Sequence, residues 1–431
     1  MGFLRRRVIT ALLTANAVRP LRGNLSPLGF AIGWPTGELA PQLLALTALD
    51  TAQAVARGKT GSRAGRVGLA LAAASAAGLT YLIRDARKAG EIAEKQLTES
   101  LGADYLDQVI ADPGAADLAE AVPTPIRELI RPFALMRPDV ERIADLSYRD
   151  GGSRARLDIY RRRDVDLENA PVLVQVHGGG WTIGDKSQQG LILMNRMAAR
   201  GWVCVAMNYR LAPKHPFPAQ IEDVKRAIAW TREHIAAYGG DPSYLVITGG
   251  SAGGHLAALA ALTPSVREYQ PGFEDADTTV SACVPFYGVY DMGGVTGDKA
   301  AVAMRDKFLA PRVFRKHPEK HSEEFEKASP ITHVAADAPD FFVIHGAHDG
   351  LVSVRQARAF VAKLREVSTG VVTYLELPGT QHAFEVFSSI RSQQVIRAVE
   401  RWLEWHRVTR RSATSDPAHG TAAESASASG H

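Results

Sequence analysis

The sequence predicts an α/β protein whose central sheet is mostly parallel and covered by helices on both faces. Three observations carry this. Between residues 143 and 407, short apolar runs rich in Val, Ile and Phe alternate with longer helix-patterned segments. Buried parallel strands read as continuous apolar runs because neither face meets water. Two of those runs end in glycine clusters, HGGGW at 177–181 and GGSAGG at 249–254, the punctuation of a strand that turns abruptly into a new element. Finally, 431 residues, 46% hydrophobic and 22% charged, supply a large core.

Residues 1–90 are rich in Ala, Leu and Gly and hold much of the basic excess behind a net charge of +4. The run at 67–83 is seventeen residues without a charge, bounded by Arg66 and Arg84, at the short end for a membrane-spanning helix. An earlier run, 28–54, is interrupted by Pro35, Glu38, Pro41 and Asp50. Basic residues at the ends and in the 57–66 loop set either orientation of a spanning hairpin against the positive-inside tendency. RRRVITALLTANA has the order of a signal peptide, but its apolar core is short and broken by threonines. The expectation is a helical N-terminal region associated with an anionic membrane surface, hence a membrane or cell-envelope location. A soluble helical cap or oligomer face, in a cytoplasmic protein, is the alternative.

Residues 91–142 read as a helical cap or linker, broken by Pro113, Pro123, Pro125, Pro132 and Pro138. The main domain, 143–407, opens with a hairpin, IADLSYRD and ARLDIYRR around GGS. Strand PVLVQVH, a helix over 188–200, strand WVCVAMNY and a helix over 219–238 follow. Next come strand YLVIT, a helix from Ala252, and the strands VSACVPFYG and DFFVIHG. A helix over 354–367, strand VVTYLEL and a helix over 393–407 complete the domain. The rhythm lapses over 290–330, which reads as a lid insertion, and 408–431 is a Ser/Ala-rich stretch expected to be disordered. Cys204 and Cys283 lie inside strand runs and read as buried free thiols, forming neither a metal spacing nor a disulfide framework. No basic stripe interleaved with aromatics supports a nucleic-acid partner.

The chemistry centres on YLVITGGSAGGHLAALAAL. A phosphate-binding loop needs Gly-Lys-Ser/Thr after its glycines, and a dinucleotide fingerprint needs G-x-G-x-x-G; the spacing here gives neither. Gly249, Ser251 and Gly253 do give G-x-S-x-G, which seats a serine nucleophile on a strained strand-to-helix turn. The helix start also aims the Ala252 amide at a developing oxyanion. The HGGGW stretch presents the amides of Gly178, Gly179 and Gly180 in the same way. A serine needs a base held by an acid, in the chain order Ser, Asp/Glu, His. Asp349, in AHDG after strand DFFVIHG, fits the acid, and His382, in PGTQHAF after VVTYLEL, fits the base. His406 lies in the last helix, and His419 and His431 beyond it; His345 and His348 precede the acid and fit the order poorly.

HGGGW, NYRLAPKHPFPAQIED, GGSAGGH and the Asp349 and His382 loops together resemble the hormone-sensitive-lipase-like branch of the α/β-hydrolases, over residues 143–407. The resemblance implies an α/β-hydrolase fold and a carboxylesterase or lipase acting on a small-molecule or lipid ester, with no metal or cofactor. It implies Ser251 as nucleophile, His382 as base and Asp349 as orienting acid. The oxyanion hole would come from the HGGG amides, usually the second and third glycines (Gly179 and Gly180), with Ala252. The chain departs from that branch at Gly250, often acidic there, and at Lys214, often Glu; the first bears on substrate subclass rather than on acyl chemistry. An amidase or formamidase would use the same triad, whereas a non-catalytic scaffold would lack one of its members. Arg210, Asp223 and Trp230 read as structural, pinning the turn after WVCVAMNY to the next helix. Nothing in the sequence speaks to oligomeric state.

Overall fold

The expected hairpin is formed by β1 (Val140–Ser147) and β2 (Arg156–Arg162), paired antiparallel. After it come β3 (Ala170–Val176), β4 (Val203–Met207), β5 (Gly240–Gly250), β6 (Ala282–Phe286), β7 (Asp340–Gly346) and β8 (Val372–Leu377). In this computed structural model, which describes residues 2–120 and 124–415, they form one sheet of order β1-β2-β4-β3-β5-β6-β7-β8. β2 meets β4 antiparallel, and every later pairing is parallel. All residues of β3, β4 and β6 are buried, which is why those runs carry no polar alternation. β3 lies between β4 and β5, so the chain reverses its direction of travel across the sheet at β3. Val176 pairs with Gly249 there, and the loops leaving both strands meet at a topological switch point, where such sheets bind ligands.

The N-terminal region of residues 1–90 contains α1 (Phe3–Val18), α2 (Ser26–Glu38), α3 (Ala40–Ala56) and α4 (Arg63–Arg87). α1 lies along α4 in parallel. A Cβ on Gly68 would meet the Phe3 ring at 2.6 Å, and one on Gly78 would meet Thr14 at 2.5 Å, so the small residues set the approach. The charges that interrupt the 28–54 run have partners. Asp50 bridges Arg6 (2.7 Å) and Arg7 (2.9 Å) of α1. Buried Glu38, at the end of α2, accepts from Arg391 and from Ser389 Oγ (2.6 Å), and Arg391 also reaches Asp85 of α4 at 3.0 Å.

α5 (Ala89–Leu101) and α6 (Tyr105–Ile110) depart from the expected cap over 91–142. Ala89, Ala93 and Leu97 recur every fourth residue, and this stripe packs with Tyr105, Val109 and Trp402 in one core on a face of the sheet. α7 (Ile126–Ile130) is a short exposed turn whose Leu129 carbonyl accepts from Gln42 of α3 at 2.6 Å.

The sheet's other helices are α8 (Leu191–Ala199), α9 (Ala219–His234), α10 (Ala252–Leu262), α11 (Lys299–Met304), α12 (Ser322–Lys327), α13 (Val354–Val367) and α14 (Ile390–Ser415). Residues 290–330 are folded: a π-helical stretch, Arg305–Phe314, follows α11, and Phe314 stacks on Phe325 of α12 at 4.0 Å. α14 starts before and ends after the expected 393–407, so the tail expected over 408–431 begins inside a helix; residues 416–431 lie outside the described residues. Cys204 and Cys283 are buried and free. The Asp223 carboxylate accepts from the Arg210 amide at 2.8 Å and from its guanidinium, the pin expected there, whereas Trp230 stacks on His234 at 4.7 Å.

Arg391 balances two carboxylates from the N-terminal helices, Glu38 of which is buried. Arg391→Met would leave those charges without it, a loss of about 3–5 kcal/mol for breaking a buried pair. A fall of that size in the denaturant-extrapolated stability is expected; an unchanged midpoint would show that the pair does not hold these helices down.

Candidate active site

Ser251 sits at φ 59°, ψ −121° between β5 and α10, a conformation that costs about 1–3 kcal/mol and survives only where the surroundings enforce it. They do so here. The Ser251 amide donates to the Phe286 carbonyl at 3.0 Å, and a Cβ on Gly253 would fall 2.1 Å from the Val176 carbonyl oxygen. No residue larger than glycine fits the crossing of β3 beneath the turn. The Ala252 amide is the first of α10, in the set that a helix leaves without an internal acceptor.

The HGGGW loop comes to the same point. A Cβ on Gly178 would lie 3.3 Å from Ser251 Cβ. The Gly178 amide, however, already donates to Gln189 Oε1 at 2.7 Å, which removes it from the expected set of oxyanion donors. Among the described residues no acceptor takes the Gly179 or Gly180 amide. The loop is tied to the nucleophile's helix through Trp181, whose Nε1 donates to His255 Nδ1 at 3.1 Å. Since His255 Nδ1 accepts, Nε2 carries the proton and donates to the Ala328 carbonyl at 2.8 Å. His177 stacks on Tyr209 at 4.2 Å. Burial lowers both His177 and His255 from 6.5 to about 4, so both are neutral at physiological pH.

Asp349 and His382 meet as expected: His382 Nδ1 and Asp349 Oδ2 are 2.6 Å apart. Asp349 is fully buried, and its other oxygen accepts the amides of Leu351 and Val352, both at 2.8 Å. Burial alone would raise its pKa. The charge of His382 and hydrogen bonds from His345 and His382 overcome this and hold the carboxyl well below the ordinary range. With Nδ1 directed at Asp349, Nε2 is the imidazole nitrogen left for proton transfer.

Three features escaped the sequence. His345, set aside on chain order, puts Nε2 3.2 Å from Asp349 Oδ2 and 3.1 Å from the Val352 carbonyl. Its signal was its place four residues before the acid, at the end of β7. Tyr287 packs its ring on His382 with centroids 4.4 Å apart, and its hydroxyl donates to buried Glu385. The space of a side chain at position 250 belongs to this tyrosine: a Cβ there would lie 2.7 Å from the hydroxyl. Gly250 is therefore required sterically, and a buried carboxyl reaches this region from the loop after His382 instead. Burial pushes the pKa of Glu385 up. The third feature is α2. Phe30 meets the His382 ring edge-on at 5.8 Å and stacks on Trp34, which packs against Phe387 at 5.4 Å. The segment packed on His382 thus comes from the first forty residues.

Comparison with known proteins finds relatives that are named esterases. A family model described as BD-FAE matches residues 157–364. The probable carboxylic ester hydrolase LipM of Mycobacterium tuberculosis is 44% identical over 94% of this chain and 93% of its own length. Esterase LipQ of the same organism is 40% identical over 89% of the chain and 86% of its length. Among solved structures, the butyrate-bound esterase 2 of Thermogutta terrifontis superposes with a TM-score of 0.52 at 24% identity, covering 62% of this chain and 94% of that one, a likeness of fold.

Trp181→Phe keeps a ring but removes the donor that ties the oxyanion loop to α10. Because small misplacements cost up to about 100-fold, kcat for a soluble ester should fall about 10- to 100-fold with KM little changed; an equal rise in KM would count against a positioning role. The buried neutral histidines set a pH signature. Their folded pKa values lie below the unfolded value, so their stabilisation is complete above about 6.5 and is lost as pH falls toward 4. His255→Gln should reduce the slope of stability against pH in that window by about one proton, read by chemical denaturation across it.

Proposed function

The chain belongs to the hormone-sensitive-lipase-like esterase branch of the α/β-hydrolases and is a carboxylic ester hydrolase; on that premise we propose that Ser251, His382 and Asp349 hydrolyse lipophilic esters through an acyl-enzyme. The observation that carries the reading is the buried Asp349–His382 pair at 2.6 Å, in the same fold that holds Ser251 on a strained strand-to-helix turn.

Ser251 Oγ bonds to the ester carbonyl carbon as its proton passes to His382 Nε2. The carbonyl oxygen, now anionic, receives the amides of Gly179, Gly180 and Ala252. Collapse breaks the carbon–oxygen bond to the alcohol, which leaves with the proton from Nε2. Water then gives a proton to Nε2 and attacks the acyl carbonyl, and the second collapse returns the proton to Ser251 Oγ. Asp349 stays ionised throughout, fixing the Nδ1–H tautomer and stabilising the imidazolium. Aromatic surroundings support a lipophilic substrate: Phe30 meets His382 edge-on with Trp34 stacked behind it, and Phe308 comes within 3.2 Å of a Cβ placed on Gly180.

A fluorophosphonate should label the protein once, at Ser251. Ser251→Ala should lose the label and at least about a thousandfold in ester turnover, with an unchanged melting transition. Retained labelling or turnover in the folded variant would end this assignment.

A further inference from the structure

We infer that the outward faces of α1, α3 and α4 form a docking surface for an anionic lipid bilayer, on which these helices lie rather than span. The first observation is what the faces expose. Val8, Ile9 and Leu12 of α1 are 39%, 42% and 66% accessible, and Leu46, Leu49 and Val55 of α3 are 61%, 68% and 53% accessible. On α4 the exposed positions between Val67 and Tyr81 are alanines, and no charged residue occurs from 67 to 83. A water-facing helix ordinarily carries its charges there.

The second observation is where the charges lie. Glu38 and Asp50 are the acidic residues of the first 84 positions, and both are held in ion pairs. Phe3 sits beside Gly68, so the start of α1 and the start of α4 share one end of the bundle, and the loop after α3 leads into it. That end displays Arg5, Arg57, Lys59, Arg63 and Arg66, all exposed. The opposite end is fastened to the main domain through Asp85 and Glu38 on Arg391. An apolar surface that ends in a cationic tip matches an anionic headgroup layer. A second copy of the chain would bring the same cations against them.

The third observation is length. The helical stretch Arg63–Leu101 is long and apolar enough to cross a membrane by length and composition. α1 and α3, packed along α4, have 16 and 17 residues, or about 24 and 26 Å at 1.5 Å per residue, against about 30 Å of hydrocarbon. Spanning would also submerge the Arg6–Asp50–Arg7 cluster. Lying flat leaves that cluster inside the bundle and the cations at headgroup depth.

The test is flotation of the full chain with vesicles, which needs no turnover and so stands apart from the esterase reading. The wild type should float with phosphatidylcholine–phosphatidylglycerol vesicles, float at least about tenfold less with phosphatidylcholine alone, and be released by salt. Leu12→Glu with Leu49→Glu, and separately Arg63→Glu with Arg66→Glu, should each lower the floated fraction about tenfold or more while keeping the wild-type melting transition. A wild type that stays at the bottom with both vesicles would overturn the inference. So would substituted chains that float like the wild type, or a wild-type dimer that dissociates on Leu12→Glu with Leu49→Glu and never floats.

Discussion

The chain can pass through Ser251 only because β3 and β5 are held in register beneath it. A seat at φ 59°, ψ −121° stores about 1–3 kcal/mol, and an isolated strand-to-helix turn would relax. Here the Val176–Gly249 pairing fixes the two strand ends, and the Val176 carbonyl closes against Gly253 with no room for a Cβ. The paired ends of β3 and β5 thus set the positions of Ser251 and of the HGGGW loop together. The Trp181–His255 bond adds a cross-tie between that loop and α10.

Two carboxyls near one imidazole have been driven apart by their surroundings. Asp349 gathers two amides, His345 and His382, and is held ionised despite complete burial. Glu385, also buried, takes the phenol of Tyr287 and is pushed toward the neutral form. Environments that separate the pKa values of neighbouring acids assign them different roles. The negative charge facing the His382 ring is concentrated on its Nδ1 side, where it favours the tautomer that leaves Nε2 unprotonated. Tyr287 separates Glu385 from the nucleophile's turn, and the glycine at 250 is the consequence.

What the sequence made legible was what local chemistry dictates. The eight strands, the G-x-S-x-G turn and the order of Ser251, Asp349 and His382 follow from apolar runs ending in specific residue types. Contacts between distant segments were not legible. Nothing local to Ser26–Glu38 says that Phe30 will reach a histidine some 350 positions later. Gly178 was grouped with its neighbours because all three glycines look alike; Gln189, which takes its amide, is visible only once the loop has closed. His345 failed a test of chain order that applies to the base but not to a second donor on the acid.

The packing of α2 on His382 also bears on how the ring could be reached. α2 can admit substrate by tilting as a helix or by turning aside its aromatic side chains. Tilting must pull Glu38 from Arg391 and Ser389, a buried pair whose rupture costs about 3–5 kcal/mol. Unstacking Phe30 from Trp34, or Phe30 from the edge of His382, costs about 0.5–1.5 kcal/mol for each aromatic pair. Ring movement is therefore the lower route. The ion pair at the end of α2 keeps the helix in place while its side chains yield, so the same short element can cover His382 and still admit its substrate.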